Sequence, residues 1–437
     1  MIIKIKQFAL FAGDILLLYA SLFLTIYLRY GHITTYLVNA HLIPFSVIFI
    51  LWIGLFYAAG WYDIRTIRNR FVLAEIIGAT LMVGLGLAII VFYLVPYFHI
   101  SPKRNLVIFT GLFTVFSFAW RLLIATIVKT PRQKILLIGS SADADELCTH
   151  LNENPHLGYK VQTRIPHPSP TELKSLGDII VRDSIGTIVI LDEEQTKNYV
   201  TASLYRNLAA GIEIISFVDF YEMIFSKVPL GELREEWFLE NIARRHRGYN
   251  TLKRAVDIIA GLCVGLVFIV LSPFVYCATK WSSPGPFIFS QTRVGKNGKP
   301  FTLYKVRTMR HDPHHRWPTE NDNRITSVGK ILRATHIDEL PQALNILRGD
   351  ISLIGPRPDF IDFFKKLEEQ IPYYAIRTLV KPGVTGWAQT NYPITASLEE
   401  TRVRLSYDLY YLKHYSLALD TLIILKTLKT MITAAGR

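Results

Sequence analysis

The chain has little cysteine: Cys148, Cys263 and Cys277 are the only three among 437 residues. Three cysteines so spaced exclude a disulfide framework and a cysteine-based metal cluster, and they suit a reducing cytoplasm for the soluble parts. Charge is scarce as well, at 19% against 50% hydrophobic residues, with a mean hydropathy of +0.27. That balance argues against an ordinary soluble protein and for several lipid-embedded segments. No small-residue cleavage site follows the first apolar run, which therefore reads as a retained anchor. The glycine fingerprint of a dinucleotide site is also missing, since Gly139 stands alone where three glycines are expected. What charge remains is one-sided. A net charge of +13 suits an anionic leaflet and phosphate ligands. Nucleic acid is the weaker reading of the same charge, because the basic residues cluster beside apolar runs instead of lining one polar face.

Four runs before residue 130 have the length of a membrane span: 8–28, 44–61, 76–98 and 106–128. Lys4 and Lys6 precede the first, Arg65, Arg68 and Arg70 lie between the second and third, and Lys129, Arg132 and Lys134 follow the fourth. The positive-inside rule then places both ends of a four-helix transmembrane domain, 1–130, on the cytoplasmic side. Asp14 and Arg121 lie inside spans, which is costly unless they pair or face the bundle interior. Helix-packing contact is the plainer expectation for them, and a substrate path the sharper one.

Pro131 opens a different texture. Lys134-Ile135-Leu136-Leu137-Ile138 is a buried-strand pattern, followed by Gly139 and a helical stretch over 142–151, with further strands over 187–191 and 213–217. This alternation predicts a small α/β, Rossmann-like domain over 131–240. With its glycines incomplete, it fits structure or self-association as a homodimer better than nucleotide sensing.

A fifth apolar run, 255–279, carries Ser272-Pro273 at its middle. Arg244, Arg245, Arg247, Lys253 and Arg254 lie before it, and Lys280, Arg293, Lys296 and Lys299 after it. Neither flank should be exported, and a proline removes a helix donor and crowds the preceding turn. The run therefore predicts a broken helix that dips into the bilayer and returns. It would anchor an α-rich (α+β) catalytic domain over 241–437.

The chemistry-bearing residues lie in that last part. Thr335-His336-Ile337-Asp338-Glu339-Leu340-Pro341-Gln342 places two carboxylates just before a helix that Pro341 is suited to start. The helix dipole favours their ionised forms there. Adjacent acids in a loop are commonplace, but Lys305, Arg307, Arg333, Arg357 and Lys381, on separate segments, are of the type that converge on a diphosphate. A carboxylate beside such a clamp is suited to an aspartyl-phosphate type of intermediate, with Mg2+ held by Asp338 and Glu339 to screen the charge.

These residues fall within ordered motifs: Lys253-Arg254 with Asp257, Ser272-Pro273, Tyr304-Lys305-Val306-Arg307-Thr308-Met309, Asp338-Glu339-Leu340-Pro341-Gln342, Gly355-Pro356-Arg357-Pro358 and Lys381-Pro382-Gly383-Val384-Thr385-Gly386. Together they resemble the bacterial sugar transferases, the polyprenyl-phosphate hexose-1-phosphate transferases of the monotopic phosphoglycosyl transferase superfamily, in their long form. The resemblance implies transfer of a sugar 1-phosphate from a UDP-sugar to undecaprenyl phosphate, with release of UMP, as a first membrane step of exopolysaccharide or O-antigen synthesis. It implies a bacterial inner-membrane enzyme whose catalytic domain faces the cytoplasm. It makes Asp338 the nucleophile and Glu339 its partner in magnesium handling. Lys305, Arg333 and Arg357 match positions near the phosphates, and Asp408 matches a motif acid counted with the substrate-binding residues. One departure stands out: many members read Val-Asn-Gly-Arg after the Gln, whereas Gln389 is followed here by Thr390-Asn391-Tyr392-Pro393.

Blander expectations attach to the remaining features. Gly355-Pro356-Arg357-Pro358 would serve as a rigid loop on backbone grounds alone. His336 reads as a surface residue or one supporting the site from behind, not as a ligand, and His311, His314 and His315 lack a second ligand set. The polar stretch 312–323 reads as a loop closing over the substrate. A helix over 417–432 would lie in the membrane interface or pack as core.

Overall fold

A computed structural model describes residues 2–62, 70–94, 103–127, 132–169, 172, 175–191, 212–242, 247–310, 324–392 and 397–433. The histidines at 311, 314 and 315, the polar stretch 312–323, Arg65, Arg68, Lys129, Pro131, Arg244, Arg245 and Pro393 lie outside the described residues. The chain forms two compact units, Met1–Phe220 and Tyr221–Arg437.

In the first unit, α1 (Ile2–Tyr30), α2 (Thr35–Ala58), α3 (Arg70–Leu94) and α4 (Lys103–Ile127) are each long and apolar enough to cross a membrane. α2 begins at Thr35, ahead of the expected Pro44, because the Thr34 side chain accepts a hydrogen bond from the Leu37 amide and caps it. Trp52, Phe56, Trp61, Phe109 and Phe113 are fully buried; the last four stack on one another, and Trp52 lies tilted against Phe56, Phe109 and Phe113. Asp14 and Arg121 meet there. Two guanidinium nitrogens donate to the two carboxylate oxygens at 2.8 and 2.7 Å, Ser117 Oγ accepts a third bond, and the guanidinium lies over the Trp61 ring. Both side chains are wholly buried, so the pair ties α1 to α4 in the way an apolar surrounding requires.

The same unit holds a four-stranded parallel sheet in the order β2-β1-β3-β4, from β1 (Gln133–Ile138), β2 (Tyr159–Ile165), β3 (Thr187–Ile190) and β4 (Glu213–Ser216). Helix α5 (Ala142–Glu153) follows β1 and is capped by Ser141. β2 was not expected. Its sequence, Tyr-Lys-Val-Gln-Thr-Arg-Ile, is that of a half-exposed edge strand, lacking the continuous apolar run of a buried one.

The second unit is built around α6 (Arg247–Ser282), the fifth helix long and apolar enough to cross a membrane. The expected break at Ser272-Pro273 is absent, and the helix runs through Pro273. The carbonyl that Pro273 cannot serve is that of Ile269, and Ser272 Oγ donates to it at 2.9 Å. The first half of α6 is fastened by polar contacts. Lys253 Nζ pairs with Asp420 at 2.6 Å, Arg254 donates to the carbonyls of Ile346 and Leu347 at 2.6 Å each, and Asp257 accepts from Ser352 Oγ and the Leu353 amide at 2.9 Å each. Its second half packs Phe268, Leu271 and Val275 against Val306, Leu332 and Ile337.

An antiparallel hairpin, β5 (Ile288–Val294) and β6 (Pro300–Val306), pairs Phe289 with Lys305. Helices α7 (Ser327–Ala334) and α8 (Gln342–Arg348) follow. The wholly buried Asn345 bonds β6 at both the Tyr304 amide and the Thr302 carbonyl, so α8 is locked to the hairpin. β7 (Ser352–Ile354) and β8 (Gly383–Thr385) pair in parallel. A Cβ on Gly383 would lie 2.1 Å from the Gly355 amide nitrogen, so only glycine lets these two motif segments touch. α9 (Leu398–His414), with its Ser397–Glu400 capping box, and α10 (Leu417–Thr433) complete the unit. Ile423 of α10 is wholly buried against Ile354, Trp387 and Tyr411, so that helix packs one face as core.

Candidate active site

Asp338 and Glu339 occupy a single turn, Ile337–Glu339, between α7 and α8. His336 enters the turn at φ 54, in the left-handed region, and its side chain is exposed. Ile337 packs on α6, so the two carboxylates are held beside the apolar helix. Asp338 is buried, at 7% exposure. Glu339 accepts a hydrogen bond from Lys305 Nζ at 2.6 Å, across from β6. Burial alone would raise the Glu339 carboxyl, but Lys305 and Arg357 outweigh it and hold the group below the usual carboxylate range.

The predicted basic residues divide. Lys305 and Arg357 act on Glu339. Arg333 Nε donates to Thr308 Oγ1 at 2.9 Å, which fixes its guanidinium beside the end of β6. Arg307 is turned elsewhere: its guanidinium donates to the carbonyls of Ser283 and Pro284, just beyond α6. Gly285 is needed beside it, at φ +129 and with Arg307 where a Cβ would stand. Lys381 lies by Gly349, past the C-terminal end of α8 and near Arg254. Burial and the Arg254 charge push its ammonium down from the usual value. Asp408 is buried against Arg377, at 2.7 Å.

That last contact belongs to a network that leaves almost no mark on the linear chain. Arg377, 3% exposed, pairs with both Asp408 and Asp359. Tyr374 donates to Asp359 at 2.7 Å, and Arg404 stands 3.7 Å from the same carboxylate. Burial raises Asp408, while in Asp359 the neighbouring Arg377 and Arg404 outweigh burial and lower it. Arg293 donates to the Pro358 carbonyl at 3.0 Å and lies over the Phe360 ring. Burial, with Arg357 nearby, brings Arg293 down to about 10. The one available signal was the four-residue spacing of Arg404 and Asp408, which puts them on one helix face.

Asp338 and Glu339 offer adjacent hard oxygen donors. Among the described residues no group of three or more His, Cys, Asp or Glu could hold a metal. Two carboxylates fit Mg2+, which ordinarily keeps waters and takes its other oxygens from substrate phosphates. The departure after Gln389 has a structural use: Asn391 accepts from Lys426 of α10 at 2.9 Å.

The family described as bacterial sugar transferase matches residues 248–434. The chain is 41% identical over 191 residues to the UDP-N-acetylgalactosamine-undecaprenyl-phosphate N-acetylgalactosaminephosphotransferase of Aeromonas hydrophila, over 43% of this chain and 45% of that protein. It is 42% identical over 186 residues to the UDP-glucose:undecaprenyl-phosphate glucose-1-phosphate transferase of Caulobacter vibrioides, over 41% of this chain and 70% of the relative. To the exopolysaccharide production protein PSS of Rhizobium leguminosarum bv. phaseoli it is 41% identical over 196 residues, or 42% and 96% of the two chains. The chain thus spans under half the length of the Aeromonas relative.

Proposed function

The chain belongs to the bacterial sugar transferase family, and on that footing we propose that it moves a sugar 1-phosphate from a UDP-hexose to undecaprenyl phosphate. The products are undecaprenyl-diphosphate-sugar and UMP. The observation that carries this reading is the buried Asp338 next to a Glu339 held ionised by Lys305 and Arg357. A carboxylate oxygen of Asp338 attacks the phosphorus bearing the sugar, the bond to the bridging oxygen breaks, and UMP leaves with that electron pair. An oxygen of undecaprenyl phosphate then attacks the acyl phosphate, and Asp338 departs as the carboxylate. Arg333 and Arg357 bind phosphate oxygens, while Lys305 orients Glu339. Mg2+, held by Asp338 and Glu339, would neutralise diphosphate charge when bound.

The setting follows from the same reading. α1 to α4 form a four-helix transmembrane bundle, the parallel sheet is a Rossmann-like domain serving homodimer formation, and α6 re-enters the inner membrane so that the catalytic domain stays with the cytoplasmic sugar nucleotide. Both ends of α6 are bonded to the one unit, through Lys253 and Arg254 at the start and through Arg307 just past the end, which supports re-entry over crossing. The product would feed exopolysaccharide or O-antigen assembly. The test is release of UMP from UDP-glucose, UDP-galactose and the UDP-N-acetylhexosamines, with undecaprenyl phosphate as acceptor. Release from at least one is expected, and none from any of them would overturn the assignment.

A further inference from the structure

The backbone carbonyl of Arg357 accepts two guanidiniums. Arg377 Nη2 donates to it at 3.0 Å and Arg404 Nη2 at 3.1 Å, which uses both lone pairs of that oxygen. The two donors come from separate elements. Arg377 lies in the turn Tyr374–Leu379, and Arg404 lies on α9. Each is itself held: Arg377 by Asp408 and Asp359, and Arg404 by Asp359. The prolines on either side, Pro356 and Pro358, restrict their own φ and the preceding residues. The Gly355 amide is bonded to the Thr385 carbonyl at 2.9 Å. The peptide from which the Arg357 side chain departs is therefore fixed from below, and that side chain bears on Glu339.

Charge at this place is unbalanced. Arg293, Arg357, Arg377 and Arg404 lie among three carboxylates, Asp359, Asp408 and Glu339. Five cations, with the Lys305 that pairs with Glu339 included, against three carboxylates leave a positive surplus, and like charges held together are relieved when an anion binds. A cluster serving stability alone would gain by matching its charges.

We propose that Arg404 and Arg377 are positioning residues that hold the Arg357 backbone so that its guanidinium meets a phosphate of the nucleotide diphosphate donor. The inference rests on the transfer reaction proposed above and assigns neither residue a contact with substrate. Its consequence is that Arg404 matters only through Arg357.

A double-mutant cycle tests this on the full-length protein, with the UDP-sugar that releases most UMP. Arg404→Ala should raise the donor KM about tenfold, the size expected for loosening one charged hydrogen-bonding group. It should change kcat by less than about threefold and leave the KM for undecaprenyl phosphate unmoved. Arg404→Lys, which keeps a charged donor, should recover most of the loss. In an Arg357→Ala background, Arg404→Ala should have no further effect on donor KM, because coupled residues are not additive. An equal KM increase in both backgrounds, or none in the first, would overturn the proposal. If Arg404→Ala fails to fold, the same cycle is run with Arg404→Gln, which keeps the bulk, and is judged by the same two outcomes. Calorimetric binding of UDP-glucose carries the cycle without turnover. Wild-type binding without UMP release would overturn the transfer reaction while the cycle still judged the clamp, and neither binding nor release by wild type would overturn both.

Discussion

Ser272 Oγ donates to the Ile269 carbonyl at 2.9 Å, the position that Pro273 leaves without an amide. The two motif residues thus offset each other. The proline withholds a backbone donor and the serine before it supplies one, so α6 continues through a residue that ordinarily ends a helix. Ile269 is 68% exposed on a helix read as lying in lipid, where no water would serve its carbonyl.

Removing that hydroxyl should therefore cost stability only while the proline is present. Ser272→Ala is expected to lower unfolding free energy by about 1 kcal/mol, the net worth of one hydrogen bond. The same change made together with Pro273→Leu should cost much less, since the substituted leucine brings an amide of its own. Thermal melts of the two variants in lipid nanodiscs decide this, and equal losses would refute the pairing.

Asp338→Asn is expected to abolish both turnover and covalent labelling by the sugar nucleotide. Binding should largely survive, since Lys305, Arg333 and Arg357 are untouched. Loss of a single phosphate-binding Arg should cost roughly 100- to 1,000-fold, far less than loss of the nucleophile. Near-normal turnover by Asp338→Asn would remove it from that role.

The acid limb of the pH profile should report Glu339. Its carboxyl is lowered, so it stays ionised down past the usual carboxylate range and loses its charge only as pH falls through that lowered value. In Lys305→Ala the burial that opposes ionisation loses its strongest counterweight, and the limb should move to higher pH. Measurement of kcat/KM from acid to neutral pH checks the direction. A limb that does not move would assign it to another group.

The local parts of this architecture were legible because their signals are local. The four apolar runs, the strand before Gly139 and the carboxylates ahead of Pro341 are each read from a few neighbouring residues. Asn345 was not legible, since an asparagine inside Gln-Ala-Leu-Asn-Ile looks like a helix surface residue, although it is wholly buried on β6. As one of several basic residues on separate segments, Arg307 reads as a phosphate binder, yet its guanidinium serves the end of α6. The Arg377 network joins residues 18 and 31 positions apart in the chain, a pairing that only the folded packing creates.

The sheet of the first unit should bind no dinucleotide. Gly139 has φ +116, and a Cβ there would lie 2.4 Å from Leu191 Cβ, so this glycine serves close packing at the end of β1. Arg164, which pairs with Asp145 and bonds Ser140, occupies the polar groups beside that end. Calorimetry of the full chain with NAD should give no binding heat, and Gly139→Ala should lower the melting temperature. Tight NAD binding would overturn this reading.

The topology of α6 separates two models of the whole enzyme. A helix of 36 residues would be roughly 54 Å long if straight, well beyond the hydrocarbon core, so length alone permits a crossing. The fastening at its two ends argues otherwise. Lys253 pairs with Asp420, and Arg307 binds the carbonyls of Ser283 and Pro284, all within one unit. A crossing helix would require that unit to reach both faces of the bilayer. With Cys148, Cys263 and Cys277 replaced, single cysteines at Asn250 and Ser282 should both resist an impermeant reagent applied to intact cells. Labelling of Ser282→Cys alone would establish a crossing and place Asp338 away from the cytoplasmic sugar nucleotides. Pro273→Leu supplies a further arm. If Pro273 sets the course of α6, and with it the height of the Asp338 turn through the packing of Ile337, this change should lower UMP release while leaving every catalytic side chain in place.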